Sequence, residues 1–175
     1  MSKQRKDKAS YKNSKSVVGK IQRRTEMSEI SIQIAASEGI ALTFLTHLKN
    51  EQIGDAIANF ADQFRFKDHG IGLEFQDKEQ LAEFFRKTRE LYPDSVLQTD
   101  ATFASGDRVI IEWTLRATLV EPFYSGLSRK VPISFQGASI VRIDNGKITE
   151  WSEYYDGLAS RRTALASYFI EWVDL

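Results

Sequence analysis

The stretch FADQFRFKDHG, residues 60–70, places two titratable side chains, Asp68 and His69, directly before a glycine. A carboxylate at the edge of an apolar core is a candidate general base, and the adjacent histidine could orient that carboxylate or a ligand. Alternatively, an aspartate in a loop can bond to nearby backbone amides, and a histidine beside a glycine is typical of an exposed loop. We predict a catalytic role for Asp68 and a substrate-binding role for His69.

A second candidate group lies near the C-terminus, where Trp151, Glu153 and Tyr155 alternate with Ser152 and Tyr154. Because successive side chains of a strand point to opposite faces, the first three share one face. If that face is buried, Glu153 stands between two aromatic rings, where burial favours a neutral carboxyl and suits it to general acid catalysis. If the face is outward, Glu153 is hydrated. We predict that Glu153 is catalytic and that Trp151 and Tyr155 bind substrate.

The residue inventory excludes several kinds of site. The sequence has no cysteine, which rules out disulfides, thiolate nucleophiles and zinc–thiolate centres. Its two histidines, His47 and His69, would need several carboxylates to complete a metal site. Neither a phosphate-binding loop nor a nucleotide fingerprint occurs. We therefore expect no metal and no cofactor.

The composition suits one globular domain, with 175 residues of which 42% are hydrophobic and 27% are charged. No apolar run approaches the roughly 18 residues that a membrane span needs, and the N-terminus lacks the apolar segment of a secretory signal. We expect a cytoplasmic protein without a membrane span.

Charge is distributed unevenly along the chain. Residues 1–25 contain nine Lys or Arg and one acid, a net charge of +8, which leaves −8 for the remainder. Because residues 1–26 have few apolar side chains to offset the entropy of ordering, we predict a disordered basic extension followed by a domain over 27–175. Such an arm could contact nucleic acid or an anionic membrane. It lacks a stacking or base-reading motif, however, so a solvated tail is favoured.

The first half of the domain has helical periodicity. Apolar residues at helical spacing predict a long amphipathic helix over 27–50 and a short helix from Ile53 to Phe60. A brief strand over 63–67 follows. Asp77 and Gln80 then have the spacing of a helix cap and its partner, at the start of a third helix.

The second half changes to a period of two. Four strands are predicted over 95–103, 108–119, 130–143 and 147–155, with ASGD and IDNG as tight hairpin turns. Gly137, inside the third of these strands, predicts a bulge or a bend. A last helix or packed tail is predicted over 158–173. The fold class is α+β, with a curved antiparallel sheet wrapped around the long N-terminal helix as a cone whose mouth is the default pocket.

Two stretches together resemble a known family. The stretch FADQFRFKDHG after two helices, and IVRIDNGKITEWSEYYD near the C-terminus, resemble the SnoaL-like and ketosteroid-isomerase-like branch of the nuclear-transport-factor-like superfamily. The resemblance covers about residues 27 to 160 and implies a cone-shaped, cystatin-like α+β barrel. It is weak as to activity, because this fold hosts isomerases, polyketide cyclases, dehydratases, epoxide hydrolases and non-catalytic modules.

The resemblance assigns residues unevenly. On the ketosteroid isomerase pattern, Asp68 takes the position of the general base. Ketosteroid isomerases are enzymes in which the surroundings of carboxyl groups adjust their pKa values. The oxyanion positions are Phe44 and about Ser139, which lack a phenolic hydroxyl and a neutral carboxylic acid. On the epoxide hydrolase pattern, Trp151 and Glu153 match the last strand, but the Arg and Asp needed on a middle strand are missing. The cyclase branch implies acid–base work by Glu153 or Asp156.

Two hypotheses of different class follow. The first is an acid–base enzyme of isomerase, cyclase or dehydratase type that acts on an apolar carbonyl-bearing or polycyclic metabolite. Its catalytic residues would be Asp68 and Glu153, and its substrate-binding residues Phe44, His69, Trp151 and Tyr155. The second is a non-catalytic ligand-binding or dimerisation module of the same fold. The resemblance, and the cost of leaving an apolar sheet face in water, also imply a homodimer.

Overall fold

The computed structural model describes residues 3–122 and 128–157, in which three helices precede or interrupt six strands. The helices are α1 (Lys3–Lys49), α2 (Ile53–Ala58) and α3 (Lys78–Leu91). The strands are β1 (Phe60–Asp68), β2 (Leu73–Phe75), β3 (Val96–Ser105), β4 (Arg108–Pro122), β5 (Ser128–Asp144) and β6 (Lys147–Tyr155). The tail predicted over 158–173 lies outside the described residues.

All six strands form one sheet in the order β2-β1-β6-β5-β4-β3. Strands β3 to β6 are an antiparallel meander, as predicted, while β1 pairs parallel to β6 and carries β2 at the sheet edge. The sheet is therefore mixed but mostly antiparallel. A long helix packed on such a sheet confirms the predicted α+β class.

The hairpin turns follow from local backbone preferences. Asn145 and Gly146 both have positive φ, 48° and 74°, which is the geometry of a type I′ turn and explains the Asn-Gly pair between β5 and β6. Gly106 also has a positive φ of 60° in the turn between β3 and β4. Both predicted hairpins are confirmed.

The helices present apolar residues to the sheet. Asp77 accepts a hydrogen bond from the backbone N–H of Gln80 at 2.9 Å, which confirms the predicted cap at the start of α3. From α1, Phe44 enters the core, where its ring centroid lies 4.5 Å from that of Trp151 and 5.2 Å from that of Phe60. The described helices include none that is long and apolar enough to cross a bilayer.

Helix α1 begins much earlier than the periodicity indicates. It starts at Lys3, in the region where the sequence predicts a disordered extension. Lys, Arg and Gln are good helix formers, and a helix that is already held by packing extends with little further cost. The packed part begins near Ser37, whose hydroxyl donates to the carbonyl of Gly106 at 3.3 Å, whereas residues 22–33 are exposed.

A bulge in β6 determines which of its side chains face the core. Ile148 pairs with Ile143 and Glu150 pairs with Arg142, so Thr149 is an extra residue with no Cα partner on β5, although its hydroxyl donates to the Arg142 carbonyl at 3.3 Å. Ile148 and Trp151 are consequently both buried, although they are three positions apart. Beyond the bulge, Trp151, Glu153 and Tyr155 lie on the inner face of the sheet.

Gly137 does not mark the predicted bulge. The pairing of β4 with β5 runs through Trp113 and Gly137 without a register shift. A Cβ at Gly137 would lie 2.5 Å from the Trp113 ring and 2.8 Å from the carbonyl oxygen of Tyr154. Glycine is needed here because of this close approach, not because of a bulge.

Candidate functional site

The end of β1 brings Asp68 beside Glu153. Their Cα positions are direct partners across the parallel β1–β6 pair, and the N–H of His69 donates to the carbonyl oxygen of Glu153 at 2.9 Å, which extends the ladder by one step. The parallel pairing, which connects residues distant in sequence, thus joins the two predicted catalytic carboxyl groups on the inner face of the sheet.

Asp68 is almost completely buried, with 3% of its surface exposed. Its Oδ1 accepts a hydrogen bond from the Ile71 N–H at 3.1 Å, and its Oδ2 accepts one from the Tyr155 hydroxyl at 2.9 Å. Its backbone carbonyl also accepts from the N–H of Gly72, which has a positive φ of 74°. Asp68 therefore both closes the turn after β1 and holds the phenol of Tyr155.

Glu153 is partly buried, and its Oε1 accepts a hydrogen bond from the indole N–H of Trp151 at 3.1 Å. Burial and, to a smaller extent, the negative charge of Asp68 raise the pKa of Glu153 from its ordinary value of 4.5 to about 7, although the hydrogen bond from the Trp151 N–H opposes the change. Both protonation states are therefore populated near neutral pH. A carboxyl group of this kind can give or take a proton there.

Tyr155 occupies a space enclosed by aromatic rings and glycine. Its ring stacks on Phe135, with centroids 5.2 Å apart and planes 23° apart, and lies 5.8 Å from the ring of Trp113. A Cβ at Gly70 would overlap the Tyr155 ring. Burial, followed by the charge of Asp68, raises the pKa of Tyr155 above its usual range, so its hydroxyl stays protonated and remains a donor.

Ser139 completes the inner face next to Glu153. It is fully buried, its Cα is the partner of Glu153 across β5 and β6, and its hydroxyl accepts the indole N–H of Trp113 at 3.0 Å. This bond satisfies the buried indole. The position that resembles the second aspartate of ketosteroid isomerases is thus occupied by a structural hydrogen bond.

The remaining predicted site residues lie around this centre. Phe44 and Trp151 are fully buried with ring centroids 4.5 Å apart, and Trp151 donates to Glu153, so these two rings lie on the core side of the site. His69 is exposed, and its ring stacks on Tyr154 with centroids 4.4 Å and planes 11° apart. Substrate binding by these three residues stays a prediction. Within the described residues, no group of three or more His, Asp or Glu could hold a metal ion.

Sequence reasoning did not identify three contributors to the site, Trp113, Phe135 and Gly70. The alternation of β4 with Ile111 and Leu115 places Trp113 on the inner face, which is a signal that could have been used. The contact between Gly70 and Tyr155 joins residues from distant parts of the chain. No local pattern carries it.

Known structures share this arrangement of elements. The chain is 18% identical to an LEH-like epoxide hydrolase of M. tuberculosis, with a TM-score of 0.62 over 82% of this chain and 99% of that one. A protein from Shewanella putrefaciens, described as a candidate SnoaL-like polyketide cyclase, is 10% identical with a TM-score of 0.65 over 81% and 94% of the two chains. A ketosteroid isomerase-like protein from Catenulispora acidiphila, in complex with trimethylamine, is 17% identical with a TM-score of 0.61 over 71% and 90%.

These similarities show an NTF2-like fold, the fold of ketosteroid isomerase-like proteins. The sequence pattern that defines the SnoaL-like domain family matches residues 41–151, and the chain belongs to this family. Among curated proteins, no sequence matches the chain. The family that the sequence resembles is therefore confirmed.

Proposed function

We propose that this protein is an acid–base enzyme of isomerase, cyclase or dehydratase type, whose substrate is an apolar metabolite that is carbonyl-bearing or polycyclic. The observation that carries the proposal is the pairing of Asp68 and Glu153 on adjacent strands, beside a protonated phenol and an aromatic wall. Relatives by fold include proteins named as cyclases, an epoxide hydrolase and a hydroxylase. We place the protein in the cytoplasm.

The chemistry follows from Glu153 and Tyr155, two titratable residues on the inner face of the sheet that are only partly buried. Glu153, which is half protonated near pH 7, can take a proton from the carbon next to a carbonyl as a carboxylate, or give one to the carbonyl oxygen as a carboxylic acid. The phenol of Tyr155 lies at the same face. Its proton is donated to Asp68, so its ring forms a wall of the site and its oxygen can accept a hydrogen bond from a substrate hydroxyl. Since Glu153, Tyr155 and Phe135 are each only partly buried within the described chain, a ligand can approach them.

Proton transfer can be tested without knowledge of the natural substrate. Polycyclic ketones that raise the melting temperature of the full chain would be incubated with it in D₂O, and exchange of the proton next to the carbonyl would be followed by NMR. Glu153→Gln should bind the same ketones but exchange the proton about a hundredfold more slowly or worse. Glu90→Gln, which changes an exposed glutamate of α3, is the matched control. Equal exchange by the wild type and Glu153→Gln would refute the enzymatic role.

A binding module is the second candidate function. Its support is that Phe44 and Ser139 lack the oxyanion donors of ketosteroid isomerases, and that Ser139 already accepts a bond from Trp113. In that case ligands would stabilise the wild type and Glu153→Gln equally, and neither protein would exchange protons.

We also propose that the outer face of the sheet forms a homodimer. Phe103, Ile110 and Ile140 are neighbours across β3, β4 and β5, and they are 57%, 40% and 37% exposed. This outer patch lies beside the paired charges of Arg108 with Glu150 and of Arg142 with Asp107. An apolar row beside balanced charges suits contact with a second copy.

Sedimentation at micromolar concentration tests the dimer. The wild type should sediment as a dimer, and Ile140→Asp should sediment as a monomer because it puts a charge in the outer patch. Ile71→Asp, which changes an exposed isoleucine after β1, should stay dimeric. A monomeric wild type would contradict the proposal.

A further inference from the structure

The two carboxyl groups of the site differ in what they can still bind. Both oxygens of Asp68 already accept hydrogen bonds from the protein, one from a backbone amide and one from Tyr155, and the residue is 3% exposed. Each oxygen has a second lone pair, but because the residue is so little exposed, a substrate would have to displace one of these donors to reach the carboxylate. A buried carboxylate without its partners is strongly destabilised, so this loss opposes such a role.

Glu153 presents the opposite situation. Its Oε1 accepts the Trp151 N–H, and its Oε2 has no hydrogen-bond partner among the described residues. The residue is partly exposed, so this second oxygen is available to a ligand. Of the two acids, Glu153 is therefore the one with a carboxyl oxygen that accepts no hydrogen bond from the described residues.

We propose that Asp68 is a positioning residue, which holds the phenol of Tyr155 and faces Glu153 with a fixed negative charge, while Glu153 alone exchanges protons with the substrate. The proposal rests on the proposed acid–base function and divides its roles. It also departs from the ketosteroid isomerase pattern, in which the residue at the position of Asp68 is the base.

Few charged groups among the described residues face Glu153. From β1 the facing titratable group is Asp68, and from β6 it is Tyr155, whose hydroxyl is neutral. From β5 the facing residue is Ser139, which is neutral as well. His69 contacts Glu153 only through its backbone, since its ring stacks on Tyr154. Asp68 is therefore the charged residue that faces Glu153 from the neighbouring strands, consistent with its contribution to the raised pKa of Glu153.

The test is the titration of Glu153 in the full chain with and without the charge of Asp68. Protein containing ¹³C-labelled glutamate would be followed by NMR against pH, and the Glu153 carboxyl would be assigned by its loss in Glu153→Gln. In Asp68→Asn the amide can accept from Ile71 and donate to the oxygen of Tyr155, so both contacts persist. Circular dichroism would check that the fold is retained.

The wild-type midpoint should lie at about 7 and should fall in Asp68→Asn, while staying above 4.5 because burial remains. An unchanged midpoint would overturn the proposal. In the exchange assay, the pH dependence of Asp68→Asn should move to lower pH along with the Glu153 midpoint, whereas Glu153→Gln should lose about a hundredfold. Loss of exchange at every pH in Asp68→Asn would also overturn it.

The two proposals can fail separately. If the wild type exchanges no protons with any ketone that it binds, the enzymatic function fails. A lower midpoint in Asp68→Asn would still support the action of Asp68 on Glu153, because the titration is measured without substrate.

Discussion

Replacing Glu153 by glutamine should raise the free energy of unfolding at alkaline pH. At acid pH, where Glu153 is protonated in both the folded and the unfolded protein, the replacement should not have this effect. The folded protein holds the Glu153 proton to about pH 7, whereas the unfolded chain releases it near the ordinary pKa of 4.5. Between these two values the folded state binds more protons than the unfolded state, so a rise in pH lowers the free energy of unfolding. Above the folded pKa the destabilisation is complete.

The magnitude follows from the difference between the two pKa values. A difference of 2.5, from 4.5 to 7, corresponds to about 3 kcal/mol, since each unit corresponds to about 1.4 kcal/mol. Glutamine keeps an acceptor for the Trp151 N–H and has no charge to bury. The difference in unfolding free energy between Glu153→Gln and the wild type should therefore grow by about 3 kcal/mol between about pH 4 and about pH 9.

Urea unfolding followed by far-ultraviolet circular dichroism at several pH values measures this difference. Comparing the variant with the wild type at each pH cancels the titration of all other groups. Glu90→Gln, which removes the charge of an exposed glutamate on α3, is the matched control. If the difference in unfolding free energy between Glu153→Gln and the wild type varied with pH no more than that of Glu90→Gln, Glu153 would ionise freely, and the reasoning about the site would be refuted.

Further predictions concern stability and use the same unfolding assay. Gly70→Ala should lower the free energy of unfolding by about 1–3 kcal/mol, because the added Cβ displaces the ring of Tyr155. Gly39→Ala, in α1 with no atom near the added Cβ, should raise it by about 0.5–1 kcal/mol. Equal effects of the two variants would contradict the contact between Gly70 and Tyr155. Ser139→Ala should cost about 1–3 kcal/mol, since the buried N–H of Trp113 loses its acceptor, and an unchanged stability would mean that water replaces the hydroxyl. Asp77→Ala should cost about 1 kcal/mol through loss of the α3 cap, and no change would show that the cap is dispensable.

Much of the fold could be predicted because local patterns determine it. The Asn-Gly turn specifies a hairpin whatever surrounds it, and Asp77 followed by Gln80 specifies a helix start. The exposed Glu112 and Arg116 on β4 alternate with buried residues, as strand periodicity predicts. Thr114 is the exception, since it is buried and its hydroxyl donates to Asp100 at 2.6 Å.

The parts that could not be predicted depend on contacts between distant segments. Strand β2 has three residues, too few for a periodic pattern, and it forms because β1 offers an edge. The parallel pairing that brings Asp68 to Glu153 joins positions 68 and 153 of the chain. The hydrogen bond from Tyr155 to Asp68 follows from this pairing, so the sequence alone could suggest an aromatic wall but not a phenol tied to the carboxylate.

The unpaired Thr149 has a consequence for how this hairpin can change in length. Ile148 already pairs with Ile143 and Glu150 with Arg142, so removing Thr149 alone would let the ladder run on without the bulge. Trp151, Glu153 and Tyr155 would keep their partners on β5 and their inward direction, because Ile148 and Trp151 would then be two positions apart instead of three. A protein lacking Thr149 should therefore keep a Glu153 midpoint of about 7, whereas loss of a second residue between Ile148 and Trp151 would turn the acid outward.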